Sequence, residues 1–136
     1  MKILGIDPGI NTGIVLLDPY KGILQHITIH AKDPVPKIRE LAASCRAIVI
    51  EEEPRFGSSG QIRRLGILSS ELINLNLVFI RPAEWKPIAK AQKWGDPILS
   101  TDHEHDAYCL ALYYFRFKIP MTEKLDENYR HFRNRI

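Results

Sequence analysis

The opening thirty residues constrain this chain more than any other stretch. Residues 2–7 (KILGID) and 13–18 (GIVLLD) are short apolar runs, and 23–30 (ILQHITIH) alternates with period two. Each reads as a strand. Asp18, Pro19, Tyr20, Lys21 and Gly22 supply a hairpin turn between the second and third runs, and Pro8-Gly9 supplies a turn after the first. These signals predict an antiparallel meander of three strands, onto which the remaining hundred-odd residues must pack.

The period then changes. Val35, Ile38, Leu41 and Ala42 recur at helical spacing after Pro34 and Pro36. Residues 47–52 (AIVIEE) predict a fourth strand with an acidic end, and 54–60 (PRFGSSG) a glycine- and serine-rich connection. Ile62, Leu65, Leu68, Leu72 and Ile73 predict a helix, and 75–80 (LNLVFI) a fifth strand. Residues 82–91 predict a short helix, interrupted or restarted near Pro87, and 95–102 a loop. The last strong helix covers about 103–117, with Ala107, Leu110, Ala111 and Tyr114 on one face and Thr101 or Asp102 as cap. The order β-β-β-α-β-α-β-α predicts an α/β fold. Its sheet is mixed and five-stranded, with the first three strands antiparallel and helices on both faces. At 136 residues the chain suits one domain, predicted over 1–119, with a basic C-terminal tail over 120–136.

The net charge of +3 names no partner, but its layout is uneven. Residues 54–93 carry seven basic and two acidic side chains; residues 94–115 carry four acidic and none basic; residues 116–136 carry six basic and three acidic. Basic flanks around an acidic island suit a protein that holds a polyanion on its rim and cations at a focus. Cys45 and Cys109 form neither a CxxC pair nor a zinc-ligand spacing, which points to a reducing compartment. No apolar run approaches the length of a membrane span and no signal-peptide pattern opens the chain, so the expected location is the cytoplasm, with no membrane partner.

Three carboxylates stand at the edges of apolar scaffolding. Asp7 closes the first strand, Glu51 follows Ile48-Val49-Ile50, and Asp106 lies near the start of the last helix. A charge beside buried strand residues is expensive unless a cation compensates it. Acids so placed can hold two divalent ions about 3.5–4 Å apart, activating a water and steadying the leaving oxygen of a phosphodiester. Hard oxygen ligands favour Mg²⁺ or Mn²⁺. Strand alternation puts Glu51 and Glu53 on one face and Glu52 on the other, so Glu53 rivals Glu51. Asp102 and His103 share a helical face with Asp106 and join the candidate ligands; His103 can alternatively assist proton transfer. The plainer readings are a turn cap for Asp7, a solvated strand end for the glutamates and a dipole-favouring acid for Asp106. His26 and His30 read as structural. The GIDPG turn enters a strand rather than a helix, so it is neither a dinucleotide fingerprint nor a phosphate-binding loop.

Arg81, Lys86, Lys90 and Lys93 are candidate phosphate contacts, with the three lysines on one helical face if the chain passes Pro87. Arg55, Arg63 and Arg64 precede them, and Phe56 on its glycine loop suits stacking on an unpaired base. Trp85 and Trp94 read as core or interface.

These residues together resemble the RuvC-type Holliday junction resolvases of the RNase H-like nuclease superfamily. Asp7 in GIDPGINTG is similar to that family's first catalytic aspartate and turn. Glu51 in IVIEEEPRF is similar to its fourth-strand glutamate, with Phe56 near its loop aromatic. RPAEWK at 81–86 resembles its proline-to-lysine segment, and HEHDA at 103–107 its closing acids, where a histidine is admitted at the first position. The resemblance covers residues 1–117 and implies catalytic roles for Asp7, Glu51, His103 and Asp106. It further implies two Mg²⁺ or Mn²⁺ ions per site, four-way junction DNA as substrate, and a homodimer that nicks two opposed strands. The chain is compact before Glu51 and between Lys86 and Asp106, as in phage-like forms. The spacing from Glu51 to Phe56 is two residues longer than the family's, which register with Glu53 would restore.

Overall fold

The computed structural model describes residues 1–52, 68, 70–72 and 74–124. In chain order the elements are strands β1 (Ile3–Asp7), β2 (Asn11–Asp18) and β3 (Gly22–His30), helix α1 (Val35–Ala42), strands β4 (Ala47–Glu51) and β5 (Leu77–Ile80), and helices α2 (Pro82–Ala91) and α3 (Asp102–Phe117). The strands form one mixed sheet in the order β3-β2-β1-β4-β5. β1, β2 and β3 pair antiparallel; β4 runs parallel to β1, and β5 parallel to β4.

Strand alternation sorts the side chains into two cores. Leu4, Ile6, Ile14, Leu16, Ile48 and Ile50 face Val35, Ile38 and Leu41 of α1, together with Leu68 and Leu72. Ile3, Leu17, Ala47, Val49 and Ile80 face the opposite way, onto Trp85 and Ala89 of α2 and residues 107–114 of α3. The central strands are buried on both sides, which is why their sequences run apolar without alternating. β3 lies at the sheet edge and keeps its period-two pattern.

Two glycines let α3 lie against the meander. A Cβ at Gly5 would sit 2.0 Å from the Ala107 carbonyl oxygen, and one at Gly13 would sit 2.2 Å from that of His103. Only residues without a side chain permit such an approach. The β2–β3 turn is closed by Asp18, whose Oδ1 accepts from Tyr20 N at 2.9 Å and Lys21 N at 3.2 Å; Gly22 follows with φ +105°.

The expected break at Pro87 does not occur: α2 runs through it. Proline removes the bond to the carbonyl four residues back. Here Ala83 and Pro87 both lie on the exposed face, where water can satisfy the freed oxygen, while Trp85 and Ala89 anchor the buried face. The helix closes with a Schellman turn: Lys93 takes φ +54°, and Trp94 N donates to Ala89 O at 3.0 Å.

The predicted helix over 62–73 lies mostly outside the described residues. Leu68, Ser70 and Glu71 within it are helical, and Leu68 and Leu72 are buried. The first residues of the predicted tail lie against the folded body. Just before it Ile119 is buried; within it residues 121–124 are helical, Tyr20 donates to Lys124 O at 3.0 Å, and Arg46 pairs with Glu123 at 2.8 Å. Residues 125–136 lie outside the described residues. Among the described residues no helix is long and apolar enough to cross a membrane.

Candidate active site

The alternation that builds the two cores also aims the acids. Asp7 continues the Ile3–Gly5 side of β1, and Glu51 continues the Ala47–Val49 side of β4, so both face α3. Ile6 is level with Ile50 in the parallel β1–β4 pair, which brings the two strand ends side by side. α3 starts at its Thr101 cap, whose Oγ1 accepts from Glu104 N at 3.1 Å, and carries Asp106 to the same place. One carboxylate oxygen from each of Asp7, Glu51 and Asp106 lies within 4.8 Å of the others. Residues 44 and 55 positions apart thus converge at one focus.

The electrostatics are those of a crowded acidic site. The Glu51 side chain is 12% exposed. Burial first, then the charge of Asp7 and a hydrogen bond with it, push the Glu51 carboxyl up to about 8; Lys86 opposes this and Asp106 adds to it. The Lys86 ammonium stands 3.9 Å from Glu51 Oε1. Three converging carboxylates offering hard oxygen donors fit a divalent cation of the Mg²⁺ or Mn²⁺ type.

The neighbouring residues divide. His103 Nδ1 lies 3.0 Å from Asp7 Oδ2. His105 turns the other way: its Nε2 is 2.8 Å from the Trp94 carbonyl oxygen, and its Nδ1 is 3.6 Å from Asp106 Oδ1. Asp102 is exposed, one helical turn before Asp106, and is not among the three grouped carboxylates. Glu52 pairs with Arg81 at 3.4 Å, on the side away from the group, as alternation requires. The rival Glu53 lies outside the described residues, as do Arg55, Phe56, Arg63 and Arg64.

Lys86 and Lys90 share one side of α2, as the helical spacing predicts, whereas Lys93 lies past its end in the Schellman turn. With Trp85, Ala89, Trp94, His105 and Asp106 all three line a cleft of about 410 Å³. The cleft joins the acidic group at Asp106, so cations line the approach to the carboxylates. Trp85 and Trp94 are both buried.

Two residues escape sequence reasoning. Glu104 is 2% exposed, among the most buried ionisable groups described. Its oxygens meet His26 Nδ1, Thr28 Oγ1 at 2.7 Å and Ser100 N at 3.3 Å. Burial works against its charge, yet the bonds from Thr28 and His26 outweigh that, and its carboxyl stays below the usual range. The T-x-x-E spacing of Thr101 and Glu104 is a capping-box signature. It signals a helix start, but not that the carboxylate would turn across to β3. His26, in sequence, is only a strand residue remote from the acids.

No protein-family model matches the sequence, and no curated protein matches it. Solved structures do. Thermus thermophilus RuvC in complex with a Holliday junction substrate superimposes with a TM-score of 0.63 at 19% identity, over 85% of this chain and 95% of that one. A second Thermus thermophilus RuvC structure gives 0.55 at 17% identity, over 87% and 97%. Fowlpox virus resolvase with its Holliday junction DNA gives 0.55 at 12% identity, over 82% and 97%. The chain therefore has the RuvC-type, RNase H-like fold.

Proposed function

We propose that this protein is a RuvC-like resolvase, a metal-dependent endodeoxyribonuclease that cuts four-way DNA junctions by paired nicks. The observation that carries the reading is the meeting of Asp7, Glu51 and Asp106 at one focus, on a fold shared with two proteins solved with junction DNA. Paired nicks on a two-fold junction call for a two-fold dimer, so the chain is expected to work as a homodimer.

Asp7, Glu51 and Asp106 would hold two Mg²⁺ or Mn²⁺ ions, with His103 beside Asp7. Bound there, the ions would supply a nucleophilic hydroxide and stabilise the leaving oxygen of an in-line displacement. The protein's own residues do the rest. Glu51 gives up its proton before it ligates, because a ligating carboxylate must be charged. Lys86 sits close enough to favour that loss and to meet the negative phosphate. His103, bonded to Asp7, orients that carboxylate and can pass a proton at the site's edge. Lys90 and Lys93 hold backbone phosphates of the strand leading in, and Arg81 can join them once it leaves Glu52. These contacts position DNA without reading sequence.

The test is a cleavage panel of labelled junction, duplex, RNA–DNA hybrid and flap, run in Mg²⁺ and again in Mn²⁺. Preferential, symmetric nicking of the junction is expected. Equal cutting of hybrid or flap would replace the reading with a broader RNase H-like nuclease, and binding without cutting would leave a DNA-binding module. Metal ions contribute several kcal/mol to the transition state, so Asp7→Asn should slow cleavage by about 10³-fold or more. Junction binding by that variant, measured in gel shifts, should persist. Full-rate cutting by Asp7→Asn would sink the mechanism.

A further inference from the structure

We propose that Glu104 is a positioning residue of this site: through His26 and Thr28 it clamps the first turn of α3 to β3 and so holds His103 and Asp106 in place. The proposal rests on the reading that the grouped carboxylates bind a divalent cation.

The first turn of α3 has no apolar anchor. Residues 107–114 supply the buried apolar contacts of this helix, whereas within 102–106 the buried residue is Glu104. What fixes that turn to the sheet is therefore polar. β3 is suited to receive it. Thr28 pairs across from Gly13, and His26 from Val15, so both side chains share the α3 face with Asp7. Gly13, lacking a Cβ, lets the His103 carbonyl come close enough for the Glu104 carboxylate to reach them. Thr28 Oγ1 also bonds Thr101 Oγ1 at 2.7 Å, which ties the helix cap into the same network. A buried carboxylate is tolerated only with its oxygens satisfied, and here two of the partners, Thr28 and His26, come from a strand 76 and 78 residues away. His103 is Glu104's neighbour, and Asp106 lies two residues on. Releasing the clamp frees the segment that bears both while leaving the apolar half of α3 seated.

The test compares wild type with Glu104→Gln, His26→Ala and His26→Asn in the full chain, without DNA. Two readouts are taken: the ring-nitrogen NMR resonances of His103 in metal-free protein, which report its bond to Asp7, and Mn²⁺ affinity by calorimetry. Residues that support metal ligands typically contribute 10–100-fold in affinity, so His26→Ala and Glu104→Gln should shift the His103 signals and weaken Mn²⁺ binding by about tenfold. His26→Asn, whose amide nitrogen replaces Nδ1, should restore both. Folded variants with unchanged His103 signals and wild-type Mn²⁺ affinity overturn the clamp. If His26→Ala and Glu104→Gln do not fold, Thr28→Val removes one hydroxyl at constant shape, and the same two readouts decide. A wild type that binds no Mn²⁺, but whose His103 signals move in the variants and recover in His26→Asn, overturns the metal reading and supports the clamp.

Discussion

Glu51 shows how far one side chain's chemistry depends on its surroundings. Its proton is held by burial and by Asp7, so its folded-state value of about 8 lies above the ordinary 4.5. Between those two values the folded chain binds a proton that the unfolded chain releases, so raising the pH favours unfolding. The metal-free protein should therefore lose stability progressively from pH 4.5 through 8, as read from thermal melts. Saturating Mg²⁺ should offset that loss at the alkaline end, because the cation replaces the proton. Glu51→Gln should remove most of this pH dependence; an unchanged profile would show that Glu51 is not the group concerned.

Among the elements, α3 and the β1–β2 pair are coupled through absent side chains. Gly5→Ala would drive a methyl into the Ala107 carbonyl, and Gly13→Ala would drive one into that of His103. Overpacking of this kind costs about 1–3 kcal/mol, to be measured by denaturant unfolding. The two variants should differ in function. Gly13→Ala pushes on the turn that carries His103 and should impair Mn²⁺ binding beyond its effect on stability. Gly5→Ala displaces the helix further along and should act mainly on stability. Equal effects on Mn²⁺ affinity would mean that the helix moves as one rigid piece.

For the whole molecule, the relevant arrangement is an acidic focus reached through a cationic cleft. Removing one lysine that neutralises a DNA phosphate lowers the slope of log affinity against log salt by about one. The double variant Lys90→Ala, Lys93→Ala should therefore bind a four-way junction with a salt slope smaller by about two, in titrations across a range of NaCl. Neither lysine touches the carboxylates, so the wild-type metal requirement should be retained. An unchanged slope would place the DNA path elsewhere.

Much of this is legible along the chain because it is local. The meander follows from alternation and turn residues, α1 and α3 from helical spacing, and the candidate acids from standing where apolar runs stop or begin. Asp7, Glu51 and Asp106 can be nominated for that reason. Their meeting cannot, because it depends on β4 pairing parallel to β1 and on α3 crossing at two glycines. Pro87 misleads because proline's cost depends on whether the freed carbonyl faces water, which is a property of the packed helix. Glu104 and His26 lie 78 residues apart, and no short-range pattern links a strand histidine to a capping-box glutamate. Periodicity and turn chemistry are properties of neighbours in sequence and survive in the string of letters. Ion pairs, proton affinities and the convergence of distant carboxylates are properties of neighbours in space, and only the folded chain decides them.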